Sequence, residues 1–168
     1  MRWIPAYVAL GSNLAEPRTQ IEVAFGRLAH IRDTRLVCRS RLYQSRPMGP
    51  QDQPQFVNAA AGLLTRLAAL DLLAQLKSIE RDMGRILPPV RWGPRVIDLD
   101  LLLFGQLVTK GPDLVLPHPG IHERNFVLYP LADIAPALFV PGHGAVAELA
   151  RKRGADGLRP LAPVADPR

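Results

Sequence analysis

Two helix-like apolar patterns lie between strand-like segments of this chain. Residues 6–10 are apolar and β-prone, and they run into the turn-forming residues 11–13. From Pro17 onwards, apolar residues recur at three- and four-residue spacing, which predicts an amphipathic helix. Residues 71–83 repeat that spacing and predict a second helix.

Further strands complete the pattern. Residues 36–43 alternate with charge on one face and residues 57–65 are apolar, so the two should pair antiparallel across the proline-rich loop 46–54. Residues 96–104 predict a strongly apolar strand, and short helices are expected at 126–135 and 145–153. The order β-α-β-β-α-β is that of the ferredoxin-like split βαβ arrangement. We therefore predict an α+β fold in which helices pack on an antiparallel sheet.

Length, charge and cysteine content limit what the chain can be. Its 168 residues match one ordinary domain, so we predict a single domain over residues 1–155 and a weakly ordered tail over residues 156–168. No apolar run approaches the roughly 20 residues that span a bilayer, and the N-terminus lacks a signal-peptide pattern, so we expect a cytoplasmic protein. Cys38 is the only cysteine, which excludes a disulfide or a thiolate zinc site within the chain. The net charge of +6 suits an anionic partner but does not choose between nucleic acid, a membrane surface and a phosphorylated small molecule.

Two aspartates interrupt the apolar strand at 96–104. Alternate residues of a strand face the same side, so Asp98 and Asp100 should emerge together while Leu99 enters the core. Two neighbouring carboxylates repel each other unless a cation lies between them, and an oxygen-only pair suits Mg²⁺. A solvated pair on an exposed sheet face is the commoner explanation of this spacing when it occurs by itself.

Arginines surround the acidic pair in the sequence. Arg91 and Arg95 lie just before it, and Arg85 and Arg124 join the same anion site if their loops converge. Cations beside a metal-binding acidic pair suit a polyphosphate, although each arginine by itself is more often a surface residue. The P-loop pattern is missing from the sequence, but the turn 11–13 can still offer backbone N–H groups to an anion.

Other candidate residues are less specific. Asn58 lies in an apolar strand, where a buried amide needs partners and can recognise the edge of a heterocycle. Phe56 and Phe126 are core residues by default, and His118, between two prolines, is more often structural. The histidine spacing fits no metal cluster, and no G-x-S-x-G elbow indicates a serine hydrolase.

These residues together resemble a known family, the 6-hydroxymethyl-7,8-dihydropterin pyrophosphokinases. The resemblance covers about residues 5–150 in order. It is carried by the strings ALGSNL at 9–14, GPQDQP at 49–54, FVNAA at 56–60, RWGPRVIDLD at 91–100, LPHP at 116–119 and RNF at 124–126.

The resemblance implies an ATP-dependent diphosphokinase of folate biosynthesis, with residues 1–155 as its catalytic domain. Such an enzyme transfers pyrophosphate from ATP to 6-hydroxymethyl-7,8-dihydropterin and releases AMP, with two Mg²⁺ ions held by Asp98 and Asp100. We accordingly expect a monomer that acts on these small molecules, with no nucleic-acid or membrane partner.

The same resemblance assigns roles to individual residues. Catalytic roles fall on Arg85, Arg95, Asp98 and Asp100. The expected ATP contacts are Lys77, Glu80, Arg85, Arg95, Ile97, His118 and Arg124. The expected pterin contacts are Ser45, Pro47, Met48, Phe56, Asn58, Trp92, Asp98 and Phe126.

Three positions depart from the family pattern, and two other functions compete with this interpretation. Phe56 replaces a common Tyr, Val115 replaces a polar residue, and Leu87 begins a Leu-Pro-Pro sequence where a second Arg is frequent.

A basic ferredoxin-like sheet can bind RNA, but it then needs exposed aromatic residues in an RNP1-like string that this chain lacks. A family member that binds its ligands without turning over is the third possibility, and AMP release separates all three.

Overall fold

A computed structural model of the chain describes residues 2–49, 51–84 and 93–163. An antiparallel sheet of six strands lies at the centre of the described residues. The strands of that sheet are β1 (Ile4–Ser12), β2 (Thr34–Arg39), β3 (Tyr43–Ser45), β4 (Phe56–Thr65), β5 (Asp98–Phe104) and β10 (Leu158–Pro160). Short hairpins add β6 (Thr109–Lys110) with β7 (Val115–Leu116), and β8 (Phe139–Val140) with β9 (Gly144–Ala145). The helices are α1 (Pro17–Ala29), α2 (Ala69–Asp82), α3 (Asn125–Ile134) and α4 (Val146–Arg153).

All pairings in the central sheet are antiparallel, in the order β10-β3-β4-β1-β5, and β2 also pairs with β4. β4 therefore lies between β1 and the β2–β3 stretch that follows α1, which is the split βαβ arrangement. The predicted α+β fold with an antiparallel sheet is confirmed. The sheet places the C-terminal end of β1 beside the N-terminal ends of β4 and β5.

The strand expected over residues 36–43 is divided in two. β2 ends at Arg39 and β3 begins at Tyr43. At the break, the N–H of Ser40 donates to the Ala60 carbonyl at 2.9 Å, and the Ser40 hydroxyl accepts the Ala60 N–H at 2.8 Å. A side-chain oxygen thus replaces a backbone acceptor, so the chain can bend here without leaving the Ala60 N–H unpaired.

The two faces of the sheet carry separate apolar cores. Ala6, Val8 and Leu10 of β1 face α1 and α2, where helix residues such as Phe25 and Leu76 are fully or almost fully buried. The opposite face of the sheet packs against α3, and α4 packs against α3. Burial at roughly 25 cal/mol per Å² of apolar surface is what holds these layers together.

The end of the chain differs from the prediction. A weakly ordered tail is predicted from residue 156, but Leu158–Pro160 form β10 and pair with all three residues of β3. The N–H of Leu161 also donates to the Leu42 carbonyl at 2.8 Å. The free edge of β3 supplies the hydrogen bonds that order this polar, proline-containing segment.

In the described parts of the chain, no helix combines the length and the apolar character needed to cross a membrane.

Candidate active site

A cavity of about 410 Å³ opens beside α3, where β1 ends and β4 and β5 begin. Predicted site residues form much of its lining: Ser45, Met48, Phe56, Asn58, Lys77, Arg95, Asp98, Asp100, His118, Arg124 and Phe126. They come from strands, helices and loops that are far apart in the sequence. The fold thus gathers charged groups and aromatic rings around one space.

The acidic pair lies at the start of β5. In the register between β1 and β5, Asp98 is opposite Gly11 and Asp100 is opposite Ala9, while Leu99 is fully buried on the other face. The two small residues of β1 leave space in front of both carboxylates. The alternation that the sequence predicted therefore directs both aspartates into the cavity.

Glu80 lies beneath the cavity and is not part of its lining. This almost fully buried side chain accepts the Leu99 N–H through Oε2 at 3.0 Å. Its Oε1 is 3.1 Å from the Lys77 Nζ. Glu80 therefore ties α2 to β5 and holds the Lys77 ammonium, which does line the cavity.

Arg95 joins the cationic side of the site. Its Nε lies 3.5 Å from Asp98 Oδ1, and only 13% of its side chain is exposed. A guanidinium held at this distance offsets part of the charge of the acidic pair. Its remaining N–H groups are suited to the oxygens of a phosphate.

Asn13 is an important residue that the sequence analysis did not select. Its Oδ1 accepts the Arg95 N–H at 2.8 Å, and its own N–H donates to the Arg95 carbonyl at 2.9 Å. Its Nδ2 donates to the Pro54 carbonyl at 2.9 Å and to Gln53 Oε1 at 3.1 Å. Asn13 is 1% exposed and thus fastens two loops to the end of β1. The sequence signal was a polar residue directly after an apolar strand, which by itself reveals none of these distant partners.

His118 lines the cavity, and its surroundings disfavour protonation of its ring. Its Nδ1 accepts the Gly120 N–H at 3.2 Å, so the hydrogen-bond network assigns the proton of the neutral ring to Nε2. Burial lowers the pKa of His118 below its ordinary value of 6.5, and Arg124 and Lys77 lower it further while Asp100 raises it. The neutral ring can therefore donate one hydrogen bond from Nε2.

Another polar part of the cavity is built around Asn58. This residue is 4% exposed, and its Nδ2 donates to the Ser45 hydroxyl at 2.7 Å. A Cβ added at Gly11 would lie 3.4 Å from Asn58 Oδ1, so the glycine leaves the amide room. Phe56 and Phe126 line the same cavity and are half-buried. A buried amide that shares a cavity with two aromatic side chains is suited to a flat ring with polar edges.

The remaining predicted residues lie elsewhere or outside the described ranges. Ile97 is fully buried in the core, and neither it nor Pro47 is in the cavity lining. The buried Pro47 contributes its carbonyl to Gln51 Nε2 at 2.8 Å. The predictions for Arg85, Trp92 and the Leu87 loop fall outside the described residues.

The donor set of the cavity fits a hard cation better than a transition metal. Among the described residues, no cluster of three or more His, Cys, Asp or Glu side chains can hold a metal ion. The pair Asp98 and Asp100 offers carboxylate oxygens only. Mg²⁺ accepts one or two carboxylates when water and substrate phosphates complete its shell, so the pair fits that ion.

Carboxylates, cations, a buried amide and aromatic rings share one cavity, a combination that is typical of an enzyme that transfers a phosphate-containing group. The profile of one such family, described as "7,8-dihydro-6-hydroxymethylpterin-pyrophosphokinase (HPPK)", matches residues 7–136. The chain belongs to this family and is a pyrophosphokinase of folate biosynthesis. The family and the enzyme class that the sequence predicted are confirmed.

Individual relatives agree with this assignment. The 2-amino-4-hydroxy-6-hydroxymethyldihydropteridine pyrophosphokinase of Pseudomonas aeruginosa is 56% identical over 135 residues, which cover 80% of this chain and 83% of that protein. The protein of the same name from Haemophilus influenzae is 43% identical over 149 residues, covering 89% and 92%.

A solved structure shows the same fold. The wild-type HPPK-DHPS of Plasmodium falciparum, solved with pteroate, is similar with a TM-score of 0.71 at 15% identity. The match covers 90% of this chain and 42% of that one, so this chain spans less than half of the Plasmodium protein.

Proposed function

We propose that this enzyme transfers pyrophosphate from ATP to the hydroxymethyl group of 6-hydroxymethyl-7,8-dihydropterin and releases AMP. The observation that carries the proposal is the shared cavity, in which the pair Asp98 and Asp100 lies with the buried amide of Asn58. In the reaction the pterin hydroxyl oxygen bonds to the β-phosphorus of ATP. The bond from that phosphorus to the oxygen of the α-phosphate breaks, AMP leaves with the oxygen, and the hydroxyl proton is released.

Asp98 and Asp100 would hold the metal, and by resemblance the enzyme uses two Mg²⁺ ions. Bound there, Mg²⁺ would neutralise phosphate charge and so favour attack by a neutral hydroxyl. The carboxylates alone would repel a triphosphate. This repulsion explains why the acidic pair shares its cavity with Arg95, Lys77 and Arg124.

Side chains of the chain itself supply the rest of the phosphate site. Arg95, Lys77 and Arg124 contribute positive charge, and neutral His118 contributes an Nε2–H donor. Arg85 completes this set in the proposal by resemblance. Because these groups are fixed before the reaction, their main contribution is to position the triphosphate and to stabilise charge in the transition state.

The pterin would stack between Phe56 and Phe126, with its polar edge on Asn58. The amide Nδ2 already donates to Ser45, which leaves Oδ1 and the second N–H of Nδ2 for the ring. Ser45 thereby fixes the orientation of the amide. Stacking provides affinity for any flat ring, and the oriented amide selects the pattern of donors and acceptors.

The test is AMP release by the purified chain with ATP, Mg²⁺ and 6-hydroxymethyl-7,8-dihydropterin. We expect AMP to form in equal amount to the pyrophosphorylated pterin, and no AMP when the pterin or Mg²⁺ is omitted. ATP consumption that does not depend on the pterin, or ligand binding without AMP, would contradict the proposal. Action as a cytoplasmic monomer without nucleic acid or membrane stays a prediction.

A further inference from the structure

The last strand in the described part of the chain, β10, extends the central sheet beside β3. β10 pairs with β3 so that Leu158 lies opposite Ser45, the residue that holds the Asn58 amide. A second cavity of about 150 Å³ lies between the segment around Asp156 and the main site. The two cavities share Ser45, Arg46, Met48, Arg124 and Phe126. The segment 154–160 therefore contacts the back of the residues that line the proposed pterin site.

Asn125 connects this segment to α3. Its Nδ2 donates to two backbone carbonyls, that of Gly154 at 3.0 Å and that of Asp156 at 2.9 Å. Asn125 is 8% exposed and is the first residue of α3, directly before Phe126. Both amide protons are used on one short stretch of backbone, so the segment and the start of α3 are held in a fixed relation.

Gly157 connects the segment to the loop after β3. With φ of 73°, Gly157 adopts a conformation that disfavours other residues, and a Cβ there would lie 2.7 Å from both Nε and Nη2 of Arg46. The Arg46 guanidinium thus packs flat on the glycine backbone, and its Nη2 lies 3.5 Å from Asp156 Oδ1. That ion pair is largely exposed and contributes little by itself. The positive φ of Gly157 is the stronger constraint on this turn.

We propose that residues 154–160 act as a clamp that sets the separation between Ser45 and Phe126, and thereby the affinity for the pterin, with Asn125 and Gly157 as positioning residues. The inference rests on the proposed function, because it concerns the pterin end of that site. The family profile ends at residue 136, before this segment begins. In the proposed function ATP binding depends mainly on Arg95, Lys77 and the acidic pair, none of which lines the second cavity beside the clamp, whereas Arg124 lines both cavities.

Truncation tests the clamp directly. One variant ends after Ala155 and lacks β10, and its matched control ends after Pro163 and keeps β10. Binding of 6-hydroxymethylpterin in the presence of Mg²⁺ and α,β-methylene-ATP is followed by fluorescence, and binding of α,β-methylene-ATP alone by calorimetry. For the shorter chain we expect the Kd for the pterin to rise about tenfold or more, which corresponds to the loss of one or two net hydrogen bonds. The Kd for the nucleotide should stay within about twofold of its value in the full chain. The control should match the full chain.

Two point variants test the clamp in the full-length chain. If the shorter chain does not fold, these two variants by themselves decide whether the clamp affects pterin binding. Asn125→Asp keeps the shape of the side chain but places an oxygen against two carbonyl oxygens. Gly157→Ala drives a methyl group into the Arg46 guanidinium. We expect both to raise KM for the pterin about fivefold while kcat at saturation stays within about twofold, a split that general loss of stability would not produce.

The collision with Arg46 provides a partial rescue. In an Arg46→Ala background the added methyl group of Gly157→Ala meets no guanidinium and only the strain of the positive φ remains, so the second substitution should raise KM for the pterin less than it does in the natural chain. If the full chain releases AMP as proposed but truncation and both point variants leave the pterin Kd unchanged, the clamp is refuted and the proposed function stands. If the full chain itself releases no AMP, the proposed function fails and the clamp with it.

Discussion

At the residue scale, the chemistry depends on a few side chains whose surroundings differ sharply. Asp98 and Asp100 share one face of β5, yet Asp98 has Arg95 at 3.5 Å while Asp100 lies nearer to His118 and acts on its pKa. Asn58 is buried and oriented, whereas Met48 of the same cavity is 53% exposed. These contrasts decide which substitutions are informative.

Asp100→Asn is expected to lower pyrophosphoryl transfer by about two orders of magnitude or more, because a metal site of this kind contributes several kcal/mol of charge stabilisation. The fold should survive, since the change removes one of two neighbouring negative charges on a strand. Steady-state kinetics with thermal melting checks both statements. Asp98→Asn is the companion variant and additionally loses the contact with Arg95. Near-normal activity in both variants would remove the acidic pair from the mechanism.

Asn58→Ala is expected to weaken pterin binding by about 1–3 kcal/mol, because polar groups on the ring and on Ser45 lose their partner. Binding of a nucleotide analogue should change by less than about twofold. Calorimetric titration of each ligand separates the two effects. Ser45→Ala is the companion variant, since it removes the orienting contact but keeps the amide, and it should weaken pterin binding less than Asn58→Ala does. Equal losses for nucleotide and pterin would contradict the assignment of Asn58 to the pterin end.

The neutral state of His118 predicts a pH dependence of stability. Its folded-state pKa lies below the ordinary 6.5, so between these two values the unfolded chain binds more protons and stability falls as the pH falls. The charged groups that act on this ring are Asp100, Arg124 and Lys77. Denaturant unfolding from about pH 7 down to pH 5 should therefore show a shallower loss of stability for His118→Gln than for the natural chain. Parallel pH profiles would show that the ring is not held neutral.

At the scale of elements, Asn13 fastens the loops that contain Arg95 and Pro54 to the end of β1. Asn13→Ala leaves the Arg95 N–H and the Pro54 carbonyl without their partner, which costs about 1–3 kcal/mol of stability. Because Arg95 loses an anchor, we also expect KM for ATP to rise several-fold, measured by steady-state kinetics.

Ser12→Ala is the matched control for Asn13→Ala. Ser12 is the adjacent fully buried residue, and its hydroxyl makes only a 3.4 Å contact with the Leu14 carbonyl. It should therefore leave KM for ATP close to that of the natural chain. If the two variants behave alike, Asn13 acts through general packing and not through the loops.

Elements stabilised by contacts between neighbouring residues could be predicted from the sequence, and features that depend on residues distant in the chain could not. Apolar periodicity identified α1, α2 and β5, because their patterns repeat over several residues of one element. The break at Ser40 followed from a hydroxyl that replaces a backbone acceptor, and β10 followed from the free edge of another strand. Neither leaves a periodic signal in its own segment.

The same distinction holds for the site. The strings around Asp98 and Asn58 were sufficient to select residues that the fold brings into one cavity. Asn13 was missed because its partners lie 40, 41 and 82 residues away in the chain. Glu80 was expected at the nucleotide, and its place beneath Lys77 depends on how α2 packs on β5.

At the scale of the whole molecule, the cavity lies where both cores end. Lys77 comes from α2 on one face of the sheet, and Phe126 comes from α3 on the other. Tyr43 also links β3 to α3, because its hydroxyl donates to Asp133 Oδ1 at 2.9 Å, and burial with this bond raises the pKa of Tyr43 to about 12. A ligand in the cavity would therefore contact elements of both layers and should stabilise the molecule as one unit.

This linkage gives the last prediction, which concerns metal removal. Any ligand that binds only the folded state stabilises it by RT ln(1 + [L]/Kd), about 2.7 kcal/mol at a hundred times Kd. For a domain of this size that corresponds to a rise in Tm of roughly 5–10 °C. We expect α,β-methylene-ATP with Mg²⁺ to produce such a rise, measured by calorimetry. EDTA should abolish most of it, because without the metal the pair Asp98 and Asp100 repels the triphosphate. The control is the double variant Asp98→Asn, Asp100→Asn, whose Tm should respond to the nucleotide in the same way with Mg²⁺ or with EDTA. A rise that persists in EDTA for the natural chain would show that the triphosphate binds through the cations alone.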